Sequence, residues 1–204
     1  ELHKLSSQLR RLYGSNRHSQ RPLHVFFANF SQESSLYRIC CEKNQGFANY
    51  VVDMNAKSPQ QLFRREELIY LSPDSPHVLT DLNPEVVYVI GGLVDETVKK
   101  KLSLQVAVQS GLLTARLPII EWLKRGSKGT FSTVLSVNQV FDILLKYHET
   151  NDWTQALLTG IPQRKGFTPK SNVKSSSSSS QGTPPLDVEP TQNSSPPKFQ
   201  ILLK

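Results

Sequence analysis

The chain is 204 residues long with a formal net charge of +7, a balance that favours nucleic acid or an anionic membrane surface as partner. Its only cysteines, Cys40 and Cys41, are adjacent, which argues against a disulfide framework or a zinc ligand set and points to a reducing intracellular compartment, cytoplasm or nucleus. No apolar run is long enough to span a membrane.

Leu2, Leu5, Leu9 and Leu12 recur at helical spacing, so the chain opens on a helix ending near Tyr13-Gly14-Ser15-Asn16. Pro22 to Phe30, Phe47 to Val52, Leu68 to Leu71 and Val86 to Ile90 read as strands. The third stops at Ser72-Pro73-Asp74-Ser75-Pro76 and the fourth at Gly91-Gly92. Leu102 to Ser110 reads as a helix closed by Gly111, and Leu112 to Leu117 as a short strand before Pro118. Val134 to Val137 reads as a last strand. Asn138 then opens a helix burying Val140, Phe141, Leu144 and Leu145, and Asn151-Asp152 caps a final helix through Leu158. Strands alternate with helices and several strands are apolar throughout. That pattern predicts an α/β fold, a mostly parallel sheet with helices on both faces. Ligands in such sheets sit beyond the carboxyl ends of the strands. Here those ends are Leu71-Ser72, Gly91-Gly92, Arg116-Leu117 and Leu135-Ser136.

Residues 1–168 read as one domain and residues 169–204 as a disordered Ser/Pro-rich tail. The tail contains the serine run Ser175–Ser180 and two Pro-Pro pairs, so it lacks the apolar surface needed to offset its ordering entropy. Its apolar close, Phe199-Gln200-Ile201-Leu202-Leu203, reads as a frayed end. The tail holds four lysines against Asp187 and Glu189, so most of the positive charge belongs to the domain. The chain begins at Glu1 rather than a methionine, which leaves an upstream targeting segment open.

Several chemistries have no motif here. There is no G-x-G-x-x-G, no Walker lysine loop and no G-x-S-x-G elbow. His3, His18, His24, His77 and His148 are scattered without ligand spacing, so no metal is expected. The most informative run is Tyr88-Val89-Ile90-Gly91-Gly92-Leu93-Val94-Asp95, an apolar strand ending in paired glycines and one carboxylate, followed by Lys99, Lys100 and Lys101. On local chemistry alone it reads as a glycine turn with Asp95 capping the next segment and a solvated lysine face. In a basic chain it also fits an enzyme acting on a polyanion.

Four segments narrow the choice: Gln8-Leu9-Arg10-Arg11-Leu12-Tyr13-Gly14-Ser15-Asn16-Arg17, Tyr70-Leu71-Ser72-Pro73-Asp74-Ser75, Val89 to Asp95, and Thr114-Ala115-Arg116-Leu117-Pro118. Leu135-Ser136-Val137-Asn138-Gln139-Val140-Phe141-Asp142-Ile143-Leu144 is a fifth. In order and spacing they resemble the tRNA (guanine-9-N1)-methyltransferase family, a branch of the SPOUT methyltransferases, over roughly residues 1 to 166. Within it, Arg11 to Asn16, Gly92 to Glu96 and the loop Gly126–Ser132 most resemble the animal B-type paralogue.

The resemblance implies S-adenosylmethionine as methyl donor, a SPOUT-type deep trefoil knot, N1 of guanine 9 in tRNA as the target and a monomer as the working unit. Adenine N1, another RNA and a non-catalytic tRNA-binding or processing subunit are the alternatives. The cofactor loops it implies are Leu71 and Ser72; Gly91, Gly92, Asp95, Glu96, Thr97, Val98 and Lys99; Thr114, Arg116 and Leu117; and Leu135, Ser136 and Val137. Asp95 matches the family's proposed general base. Guanine N1 carries a proton that must leave, and a carboxylate near the ring is a natural acceptor. Gln8, Arg10, Arg11, Arg17, Lys99, Lys100, Lys124, Arg125, Arg164 and Lys165 are the expected tRNA contacts, the cations through phosphates. The family's apolar strand before the opening helix has no counterpart at the start of this chain, so the resemblance also implies a sheet short of one strand.

Overall fold

The computed structural model describes residues 1–92, 102–170 and 198–202. The first helix, α1 (Leu2–His18), buries Leu5, Leu9 and Leu12 along one stripe. Its last turn fixes the exit of the chain. The Asn16 amide donates to the Leu23 carbonyl and accepts from the Leu23 N–H, both at 2.8 Å. That clamp aims β1 (His24–Ala28) into the sheet.

A helix without a strong sequence signal follows, α2 (Ser35–Lys43). The Tyr37 N–H donates to its N-cap Ser34, and only Leu36 and Cys40, one turn apart, are buried. The strand expected over Phe47 to Val52 is instead a 3-10 turn, Phe47–Asn49, with β2 (Asp53–Met54) after it. Phe47 is buried among Phe30, Tyr37 and Tyr50, and that cluster folds the segment inward rather than along a neighbour. Next come α3 (Pro59–Leu62), β3 (Leu68–Leu71), β4 (Val87–Gly91), α4 (Leu102–Gln109), β5 (Leu113–Ala115), α5 (Ile119–Trp122) and β6 (Leu123–Arg125). The strand expected over Val134 to Val137 is also absent. The Gln139 side chain accepts from the Ser136 N–H at 3.0 Å in a capping box, which starts α6 (Val137–Thr150) at Val137. The chain then forms α7 (Trp153–Gly160), capped by Asp152, β7 (Phe167–Pro169) and β8 (Lys198–Leu202).

Six strands form one sheet in the order β2-β1-β8-β4-β3-β5, every pairing parallel, while β6 and β7 form an antiparallel pair. The closing segment of the chain is therefore not a frayed end. It lies mid-sheet, with Phe199 in register with Val25 on one side and Tyr88 on the other. The place between β1 and β4 is filled, so the sheet has no gap there. Along β4, Tyr88 and Ile90 join a core containing Leu9, Phe27, Phe141 and Leu144, while Val87 and Val89 join a second with Leu68, Tyr70 and Ala107. Alternate residues buried on both faces are the mark of a covered parallel sheet. No helix among the described residues is long and apolar enough to cross a membrane.

Candidate active site

Parallel register brings three of the expected strand ends side by side. Leu71 pairs with Ile90 on one side and with Ala115 on the other. Ser72, Gly91 and Arg116 therefore leave the sheet together, at its carboxyl edge. The Ser72 N–H donates to the Ala115 carbonyl at 2.9 Å. Beyond β5 the chain stays pinned: the Arg116 N–H donates to the His77 carbonyl at 2.8 Å and the Leu79 N–H to the Arg116 carbonyl at 2.9 Å. Two hydroxyl pairs stitch these turns further, Ser72 with Ser103 of α4 and Ser75 with Thr114 of β5, each at 2.9 Å.

The fourth turn is not a strand end. Leu135 and Ser136 lead into α6, whose first residue, Val137, is buried in the same core as Leu71, Ile90 and Ala115. Leu117 and Leu135 pack against that core. Residues from all four turns thus belong to or pack on one apolar core. Asp95, Glu96, Thr97, Val98, Lys99 and Lys100 lie outside the described residues.

Three side chains have assignments that differ from those expected. The Arg116 guanidinium makes a bidentate pair with Glu121, at 2.9 and 2.6 Å, and holds that carboxyl below its ordinary value. Its charge is thereby matched, so what Arg116 offers at the turn is backbone. Lys165 is only 8% exposed, and its ammonium donates to the carbonyls of Ser132 at 3.0 Å and Val134 at 2.6 Å. Two of its three N–H donors are thus spent inside the chain. Gln8 is half-buried, and its amide oxygen accepts from the Val137 N–H at 3.0 Å. Both Lys165 and Gln8 thus have partners within the chain, on the loop and helix start at 132–137. Arg10, Arg11, Arg17, Lys124, Arg125 and Arg164 are exposed. Arg125 lies over the Phe131 ring, 5.5 Å from its centroid.

Gly91 has a structural reason to be glycine. A Cβ there would run into the hydroxyl of Tyr70, which is buried and pushed up to about 12 by that burial. Among the described residues no group of three or more His, Cys, Asp and Glu could hold a metal ion. Among the described residues, these turns present hydroxyls, backbone and an arginine paired with Glu121.

A parallel sheet whose turns gather at its carboxyl edge places the chain among the α/β proteins that bind ligands beyond their strand ends. Solved structures narrow that class. The crystal structure of full-length spTrm10 in complex with SAH superposes with a TM-score of 0.69 at 32% identity, covering 79% of this chain and 86% of that one. The family model for tRNA (guanine(9)-N(1))-methyltransferase TRM10/TRM10A matches residues 1–166, and the chain belongs to this family. Among curated relatives, tRNA methyltransferase 10 homolog B of Danio rerio is 46% identical over 82% of this chain and 54% of its own length. The human homolog B is 43% identical over 85% of this chain and 56% of its own length. The chain thus spans a little over half the length of these relatives.

Proposed function

We propose that this chain is an S-adenosylmethionine-dependent methyltransferase acting on N1 of guanine 9 in tRNA. One observation carries the reading: in a chain whose residues 1–166 match the family, three of the five segments that resemble it, those running through Ser72, Gly91 and Arg116, end side by side at the carboxyl edge of the sheet. The SPOUT-type trefoil knot and a monomeric working unit belong to this reading and are supported by the family likeness.

The cofactor, when bound, supplies a methyl group already activated by a positive sulfur. Ser72, Gly91, Thr114, the Arg116 backbone and the Leu135–Val137 turn are the residues that would hold it. Leu71, Ile90, Ala115 and Val137, beside these turns, are buried in one apolar core. Guanine N1 must give up its proton as the new N–C bond forms. Asp95 is the acceptor in this reading, and its carboxylate acts best if its surroundings raise its proton affinity toward the working pH. Exposed Arg10, Arg11 and Arg17 on α1 give the phosphate backbone its salt-dependent hold.

The test is incubation of the chain with methyl-labelled S-adenosylmethionine and unmodified tRNAs, followed by mapping of the label. Label on N1 of guanine 9 is expected, and Asp95→Asn should cut turnover by ~10²-fold or more, the scale of a lost general base, while tRNA affinity stays within about twofold. Label elsewhere would overturn the target. Tight tRNA binding with no label at all would leave a binding subunit in place of an enzyme.

A further inference from the structure

Residues 126–136, between β6 and α6, form no helix or strand, yet they end in one of the proposed cofactor turns. Irregular backbone in such a place needs an external hold, because it cannot supply its own ladder of hydrogen bonds. The first half of the loop is zipped to the turn before β7. The Gly126 N–H donates to the Gly166 carbonyl at 2.8 Å, and the Phe131 N–H to the Lys165 carbonyl at 3.0 Å. Gly129 and Gly166 lie so close that a Cβ on Gly166 would strike the Lys128 carbonyl, and both glycines have positive φ.

The second half is held by two side chains from remote elements. Lys165 caps the carbonyls of Ser132 and Val134, two residues apart. In extended chain, carbonyls so spaced point the same way. One ammonium therefore fixes the direction of a whole edge of the loop. Burial lowers the proton affinity of that ammonium, and the polar contacts it makes are carbonyls. A buried charge held this way is a cost to the fold unless the geometry it enforces is needed. Gln8, 129 residues from Val137 in sequence, then takes the first N–H of α6.

We propose that Lys165 and Gln8 are positioning residues that set residues 132–137 in the shape that receives the cofactor, rather than tRNA contacts. The proposal rests on the cofactor reading above. Its test is titration of S-adenosylhomocysteine into the 204-residue chain and its variants, with tRNA affinity measured in parallel. Lys165→Met and Gln8→Leu should each weaken S-adenosylhomocysteine binding about tenfold, the equivalent of one lost hydrogen bond at a site that must stay shaped. Gln8→Glu keeps an acceptor for Val137 and should hold affinity within about threefold. Binding of tRNA should change by less than about twofold in Gln8→Leu, since no charge is lost. Should Lys165→Met fail to fold, the contrast between Gln8→Leu and Gln8→Glu, with faster hydrogen exchange at the Val137 amide in the former only, reads the same hold. Unchanged S-adenosylhomocysteine affinity in the variants, with weakened tRNA binding, would overturn the proposal alone. A parent chain that does not bind S-adenosylhomocysteine would overturn the cofactor reading and this proposal together.

Discussion

The two walls of the proposed site are held in opposite ways. The wall after β3 and β5 is an extension of the sheet. Ser72, Arg116 and Leu79 are fixed by backbone hydrogen bonds to Ala115 and His77 and to one another. Its hydroxyl pairs add to a frame that already exists. The wall of residues 132–137 has no such frame and leans on Lys165 and Gln8. A typical net hydrogen bond contributes about 1 kcal/mol, more when one partner is charged. The first wall spreads that energy over many bonds, so no one side chain is essential to it. The second has local bonds to Ser132, Asn138 and Gln139, and two side chains, Lys165 and Gln8, tie it to remote elements. Mutations should therefore damage the first wall only by damaging the fold, and the second without doing so.

The largest effect should come from removing the foundation of the first wall. β8 is paired over five residues with β1 and over five with β4. Deleting residues 198–204 opens two parallel edges in the middle of the sheet, next to the buried Val25, Phe27, Val87 and Val89. At about 1 kcal/mol per bond the loss is roughly 5–10 kcal/mol, comparable to the whole stability of a domain. A chain ending at Pro197 should show no cooperative thermal transition by circular dichroism. If it melts cooperatively within a few degrees of the parent, the sheet does not depend on β8.

A smaller and more local break is Gly91→Ala. The new methyl meets the hydroxyl of the buried Tyr70 at the end of β4. Overpacking of this kind costs about 1–3 kcal/mol. Tyr70→Phe removes the atom in the way, so the double variant should recover part of the loss in urea denaturation. Full additivity of the two changes would show that the ring and the glycine do not meet.

The sequence made the first wall readable and hid the second. Apolar runs bounded by Ser-Pro or Gly-Gly located β3 and β4, and Pro118 placed the next strand, although its end was set at Leu117, two residues past the end of β5. These signals are local. Lys165 reads as a surface cation because lysines usually are. Its burial comes from loop packing that no short window contains. Gln8 and Val137 are 129 residues apart, and a single hydrogen bond leaves no periodicity. The apolar Val134-Leu135 suggested a strand, although Ser136 and Gln139 already spelled a helix start. β8 was hidden by its surroundings: its neighbours in the tail are polar, and its partners, β1 and β4, lie more than a hundred residues earlier.

The smallest expected effect sharpens the comparison on the side of the second wall. That wall is carried by α6, which meets α1 along a polar seam. Gln8 meets Val137 at one end, and the Ser19 hydroxyl donates to Glu149 at 2.5 Å at the other. Asp142 lies between. Burial pushes its carboxyl up, against opposing hydrogen bonds from Ser15 and Asn138, and its Oδ1 is buried without a partner among the described residues. Glu149 is held down, first by Ser19 and then by Lys146 against the opposing effect of its own burial. The two acids should act on stability with opposite sign. A raised folded-state pKa means the fold prefers protonated Asp142, so its contribution is fully present below the ordinary carboxylate value and is lost as pH rises through the raised one. A lowered pKa means Glu149 contributes above its ordinary value and loses that contribution as pH falls through the lowered one. Asp142→Asn should therefore stabilise the chain by about 1 kcal/mol at pH 7, the scale of relieving a poorly satisfied buried oxygen, and change little near pH 3. Glu149→Gln should destabilise by only a few tenths of a kcal/mol at pH 7, as for a partly exposed pair, and also converge on the parent in acid. Urea midpoints taken between pH 3 and pH 8 check both. A parent-minus-variant difference for Asp142→Asn that is flat with pH would mean the carboxyl titrates alike in the folded and unfolded chain. The seam behind the second wall would then carry no destabilised acid, and its difference from the first wall would reduce to Lys165 and Gln8.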